Sequence, residues 1–174
     1  MIVAFDNTFL SLVLHPSAKP RENPETGKPV AFCKERVEAL VDDLSKRGAT
    51  VIIPTPCFSE LLCAVPDLEK AISAINQSTA FDLAPFCERC AIDLSEIVRA
   101  ALASGDKRSG VSAPWNQIKF DRQIAVIAKV NGAEILYTDD SNQAEFAKKI
   151  GLTVKHTWDL ELPDRYAQKG FFSE

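Results

Sequence analysis

Ile2-Val-Ala-Phe-Asp6-Asn7-Thr8 opens the chain with an apolar run that stops on a carboxylate. The same device recurs near the other end, where Ile135-Leu-Tyr-Thr138 runs into Asp139-Asp140. Between them Thr50-Val-Ile-Ile-Pro54 leads into a helix with Glu60 placed at its opening. Short, continuous apolar runs bounded by polar or turn residues read as strands buried on both faces. Ligand sites of open parallel sheets gather at the carboxyl ends of strands, so acids in these positions are expected to converge.

Working outward, the segments between the runs carry helical periodicity. Val37, Leu40, Val41 and Leu44 repeat at i, i+3, i+4, i+7 and Gly48 supplies a stop, which predicts a helix from Cys33 to Arg47. The strand Thr50–Pro54 follows at once, with Thr55 as cap and Pro56 at the first position of the next helix. Leu68, Ala71, Ile72 and Ile75 mark a further helix, Phe81–Ala84 a weak strand, and Pro85–Ala103 a longer helix. Ser104–Pro114 is rich in turn residues and reads as a loop. A helix from about Asn116 to Asn131, a strand Glu134–Thr138, a helix Ser141–Ile150 and a last strand Leu152–Lys155 complete the pattern. His15–Pro29 reads as a polar surface loop, and the tail after Leu160 carries no clear pattern. Strands alternating with helices imply parallel β-α-β units covered on both faces.

The 174 residues, 46% of them hydrophobic, fit one domain over 1–174 that buries a core without disulfides. A net charge of −4 argues against nucleic-acid binding through a broad basic surface, so any such contact is local or metal-mediated. Five cysteines are an odd count, and no secretory signal precedes Asp6; a reducing cytoplasm is the expectation. No apolar stretch approaches the ~20 residues that span a bilayer, so no membrane is expected.

Several carboxylates on separate elements are what metal-dependent phosphodiester hydrolysis requires, because Mg²⁺ and Mn²⁺ take hard oxygen ligands and keep positions for water and phosphate. Asp6 is the first candidate, with Asn7 and Thr8 as further oxygen donors; the bland alternative is a helix N-cap for Phe9–Leu14. Glu60 lies among apolar neighbours, where a charge is costly unless paired or metal-bound; alternatively it is exposed on the polar side of its helix. Asp121 shares a helical face with Ile124, Ala125 and Ala128, although a first-turn acid is also favoured by the helix dipole. Asp140-Ser-Asn-Gln143 reads as a capping box, a role compatible with metal binding, and Asp139 is its competitor as ligand.

Taken together, these motifs resemble the PIN domain family of metal-dependent ribonucleases. The resemblance rests on Ile2–Thr8, Ile53-Pro-Thr-Pro-Cys-Phe-Ser-Glu60, Asp121-Arg-Gln-Ile-Ala-Val-Ile-Ala128 and Ile135–Asp140, in order, and extends to about Lys155. It implies a Rossmann-like three-layer α/β/α sandwich with a central parallel sheet. It also implies Mg²⁺ or Mn²⁺ at Asp6, Asp121 and Asp140 with Asp139 in support, and Asp6, Glu60, Asp121 and Asp140 as catalytic acids. Thr8 takes the small polar position two after the first acid. The implied activity is RNA hydrolysis, with the toxin of a VapC-like toxin–antitoxin pair as a leading role; RNA, an antitoxin protein and a second copy of the chain are the implied partners. Lys107, Arg108, Lys119 and Arg122 are candidate phosphate contacts and Trp115 a candidate base-stacking residue.

The rival of a different class is a catalytically silent PIN-like module that binds RNA or protein. An aspartyl-nucleophile phosphatase would want an acid where Thr8 stands. Cys87-Glu-Arg-Cys90 invites a zinc or redox reading, but Cys87, Cys90, Leu94, Ile97, Val98 and Ala101 share one helical face, which favours core thiols. His15 and His156 are isolated.

Overall fold

The computed structural model describes residues 1–167. Five parallel strands form its sheet in the order β5-β4-β1-β6-β7, where β1 is Ile2–Phe5, β4 Thr50–Pro54, β5 Phe81–Ala84, β6 Ile135–Tyr137 and β7 Thr153–Lys155. The three-layer α/β/α sandwich expected from the alternation is therefore present. The strand order reverses beside β1: the chain first builds outward through β4 and β5, then returns to place β6 against the other edge of β1. That reversal falls between β1 and β6, and the carboxyl ends of strands at such a point are where open parallel sheets bind ligands.

Alternation along the strands distributes side chains between the two faces. Val3, Phe5, Val51 and Tyr137 pack with α1 (Asn7–Leu14) and α2 (Cys33–Lys46) through Phe9, Leu12, Val37 and Leu44. Ala4, Ile52 and Leu136 face the other way, onto α5 (Glu88–Ala103), α6 (Trp115–Val130) and α7 (Ser141–Lys149). A third cluster, Leu10, Ile53, Cys57, Leu61, Ile75 and Ile124, joins α1 and α6 to α3 (Thr55–Ala64) and α4 (Leu68–Gln77). Strand register places Ala4 between Ile52 and Leu136. Small Ala4 lets α6, with its fully buried Ala125-Val-Ile-Ala128, lie close over the centre of the sheet.

Four sequence expectations shift on contact with the structure. His15–Pro29 is not wholly loop: Glu22–Asn23 (β2) and Lys28–Pro29 (β3) pair antiparallel as a small hairpin. Neither strand has an apolar face, so no hydrophobic alternation announces it. Pro54, not Thr55, caps α3, which puts Pro56 in the first turn but one position later. α5 starts at Glu88 rather than Pro85, with Cys87 as its cap. The tail after Leu160 contains one helical turn, α8 (Asp164–Ala167); the rest of the tail expectation, 168–174, lies outside the described residues. None of the described helices is long and apolar enough to cross a membrane.

Candidate functional site

The turn from β1 into α1 sets the first acid. Asp6 continues the sheet, its N–H donating to the Tyr137 carbonyl at 3.1 Å, and then caps α1 by accepting the Phe9 N–H on Oδ1 at 2.9 Å. Beneath it, the rings of Phe5, Phe9 and Tyr137 meet with centroids 5.3–5.6 Å apart and pin the turn to β6. A cap needs only one carboxylate oxygen, so this role leaves Asp6 free for another. The group is 4% exposed, and burial raises its pKa to about 7 against the opposing hydrogen bonds from the Thr138 side chain and the Phe9 N–H; the Asp139 charge raises it further.

Asp121 lies on α6 in its second turn, not its first, so the helix dipole that favours acids in a first turn does not explain it. Burial raises its carboxyl to about 7, helped by the charges of Asp140 and then Glu60, and its Oδ2 is buried without a hydrogen-bond partner. Glu60 does not open α3 but sits in its second turn; it is exposed by area, yet the protein around it desolvates its carboxyl enough to raise the pKa. Asp140 caps α7 by accepting the Gln143 N–H at 2.9 Å. The expected capping box is only half made, because Gln143 Oε1 is buried without a partner and the Asp140 N–H goes to Thr138 Oγ1 at 3.0 Å.

The mutual repulsions show which acids share a space. Asp6 feels Asp139; the buried Cys57 thiol, raised first by burial, feels both Asp6 and Glu60; Asp121 feels Glu60 and Asp140. The chain of neighbours runs from Asp139 through Asp6, Glu60 and Asp121 back to Asp140. These couplings link Asp6, just after β1, to Asp139 in the β6–α7 turn, and Asp121 on α6 to Asp140 of the same turn and to Glu60 on α3. Among the described residues no three His, Cys, Asp or Glu side chains are drawn together tightly enough to close on one ion. Mg²⁺ keeps several waters and takes only one or two carboxylates directly. The donor set is all hard oxygen, and the orphaned Asp121 Oδ2 together with two carboxyls held near neutrality is relieved by a cation. The donor chemistry is of the kind a divalent ion takes, although the described side chains do not close a three-residue site on one.

The supporting residues divide. Asn7 Oδ1 accepts from the Ser11 hydroxyl at 3.2 Å, along α1, and Thr8 is half-buried beside it. Asp139 has both oxygens occupied by Thr157, which donates its N–H at 2.8 Å and its hydroxyl at 2.7 Å. Arg122 does not present a surface cation: it is 2% exposed, lies 5.5 Å from the Trp115 ring and 5.4 Å from the Phe146 ring, and donates to Ser109 Oγ at 3.2 Å. Trp115 is half-buried with Lys107 Nζ 4.9 Å over its ring, whereas Arg108 and Lys119 are exposed. A pocket of about 20 Å³, room for a water-sized group, opens beside Asp121 between Arg122, Asn142 and Phe146.

Thr138, Thr157 and His156 escaped the sequence reading as site residues. Thr138 serves Asp6 and Asp140, and His156 Nδ1 lies 2.5 Å from the Thr138 carbonyl while its ring stacks on Trp158 at 4.4 Å. Only the position of Thr138 directly before Asp139-Asp140 hints at this; Thr157 is 18 residues from its partner Asp139 and sends no local signal.

No protein-family model matches the chain, and no curated protein sequence matches it. Among solved structures, one chain of the crystal structure of VapBC2 from Rickettsia felis, bound to a DNA fragment from their promoter, is similar with a TM-score of 0.55. The two are 17% identical over 90% of this chain and 98% of that one. What the likeness establishes is the architecture: a central parallel sheet between helical layers.

Proposed function

We propose that the chain is a PIN-type, metal-dependent endoribonuclease that hydrolyses RNA phosphodiester bonds, and that it acts as the VapC-like toxin of a toxin–antitoxin pair. One observation carries the reading: of Asp6, Glu60, Asp121 and Asp140, from four separate segments, Asp6 and Asp121 are raised to about 7, first by burial and then by neighbouring carboxylates, Asp139 for Asp6 and Asp140 and Glu60 for Asp121. Carboxylates packed this way are costly in an apoprotein, and a bound cation offsets that cost. The fold likeness to a VapBC2 chain supports the same reading and supplies the antitoxin as expected partner.

Asp6, Asp121 and Asp140 would hold Mg²⁺ or Mn²⁺. Such an ion supplies Lewis acidity, acidifying a water and taking up charge on the phosphoryl oxygens. The chain's own contribution is placement. Phe9 N–H and Thr138 keep Asp6 in one rotamer, and the Gln143 N–H does the same for Asp140. Glu60, with its raised pKa, accepts the proton of the attacking water, as a base poised nearer neutrality does best. Lys119 and Arg108, both exposed, offer charge to the RNA backbone.

The test is Mn²⁺-dependent cleavage of a panel of RNAs by the wild-type chain, Asp6→Asn and Asp121→Asn, with Mn²⁺ binding followed by calorimetry. Cleavage and binding by wild type alone support the reading. Equal cleavage by all three removes these acids from the mechanism, and a chain that neither cleaves nor binds the ion is a silent module.

A further inference from the structure

Helix α5 begins on two cysteines that none of the acids uses. Cys87 is its N-cap and is exposed, whereas Cys90, one turn along, is fully buried against the face that includes Ala84, Ala125 and Ala128. The shared-face pattern in the sequence made both core thiols; the structure corrects this for Cys87, because the helix starts after it. Their sulfurs lie 3.5 Å apart. Disulfide closure needs the sulfurs ~2.0 Å apart, a gap that side-chain rotation covers at an i, i+3 spacing without unwinding the helix.

We propose that Cys87 and Cys90 form a thiol–disulfide exchange site, taking a low-molecular-weight or exposed protein disulfide as co-substrate. Burial dictates the order of events. Only Cys87 is reachable, so its sulfur attacks one sulfur of the incoming disulfide; that bond breaks, and the released thiolate takes up the proton Cys87 gave. Cys90 then attacks Cys87, expelling the second thiol, which receives the Cys90 proton. Two cysteine thiols have lost two electrons and two protons, and the incoming disulfide has become two thiols.

The electrostatics follow the same division of roles. Hydrogen bonds from the Cys90 backbone and side chain hold the Cys87 thiol below its ordinary value, as a helix start does for reactive cysteines, while burial pushes Cys90 up. Cys33 and Cys57 are each buried, and Cys63 is the other exposed thiol, so it is replaced by Ser in every protein of the test.

Arg89 lies between the two cysteines, so trypsin cuts between them and leaves the fragments ending at Arg89 and starting at Cys90 joined only if the disulfide has formed. The folded chain is treated with oxidised glutathione, alkylated, digested and analysed by mass spectrometry. Joined fragments are expected from the parent, a trapped Cys87–glutathione adduct from Cys90→Ser, and no glutathione on Cys90 in Cys87→Ser. Cys90→Ala stands in if the serine disturbs the core. Full alkylation of both cysteines in the parent overturns the proposal, as does glutathione on Cys90 in Cys87→Ser at the parent's rate. Stoichiometric zinc on the reduced parent, lost from both variants, overturns it in favour of a metal site.

Discussion

Thr157 holds both carboxylate oxygens of Asp139, its N–H on Oδ1 at 2.8 Å and its hydroxyl on Oδ2 at 2.7 Å. Thr157 is fully buried, so this pair ties the segment after β7 to the end of β6. The adjacent Asp140 gives only Oδ1 to the α7 cap. Consecutive aspartates therefore face different work: one anchors the fold, and the other caps α7 while its charge acts on Asp121.

The division predicts opposite phenotypes. Asp139→Ala leaves two buried Thr157 donors unpaired and should cost about 1–3 kcal/mol of stability, read from urea midpoints. Asp140→Asn keeps a good N-cap and should leave stability within about 0.5 kcal/mol, while weakening Mn²⁺ binding in calorimetry. Similar stability losses in both would contradict the split.

Asp6 and Asp121, with carboxyls raised to about 7, make the fold pH-sensitive. A folded-state pKa above the unfolded one means that the folded chain keeps its protons longer, so the stabilisation is full below about pH 4 and is lost as pH rises through 7. Asp6→Asn and Asp121→Asn remove that loss and should be more stable than wild type by about 1–3 kcal/mol at about pH 8, the advantage vanishing near about pH 4. Equal pH profiles for variants and wild type would show that the acids are not strained.

Divalent cation should restore what proton loss removes. Wild type at Mn²⁺ about 100-fold above Kd should gain about 2.7 kcal/mol, seen as a concentration-dependent rise in Tm. Asp121→Asn should show little of that rise, and EDTA should abolish it in wild type.

Arg122, clamped between Trp115 and Phe146, should behave as a packing residue. Arg122→Ala is expected to destabilise by about 1–3 kcal/mol, whereas exposed Lys119→Ala should stay within about 0.5 kcal/mol and instead weaken RNA binding with a reduced salt slope. Thermal unfolding and RNA titrations at several salt concentrations separate the two.

The aromatic platform under Asp6 gives the last case. Phe9 is fully buried between Phe5 and Tyr137, and Phe9→Ala should cost about 3–5 kcal/mol. Because the same rings fix the β1–α1 turn, the surviving folded fraction should also bind Mn²⁺ less tightly, measured on material held folded at low temperature.

The chain's own pattern determined the layered architecture and the strand Thr50–Pro54, because a strand buried on both faces must be almost wholly apolar and helices must repeat near every fourth residue. It also placed the acids at strand ends and on α6, since their positions are local facts. Tertiary structure alone decided that Thr157 claims Asp139, that Arg122 is swallowed by two rings, that Glu88 rather than Pro85 starts α5, and that a polar hairpin stands in the 15–29 segment. Each of these depends on partners far apart in sequence or on hydrogen bonding without hydrophobic periodicity, and neither leaves a trace in the spacing of apolar residues.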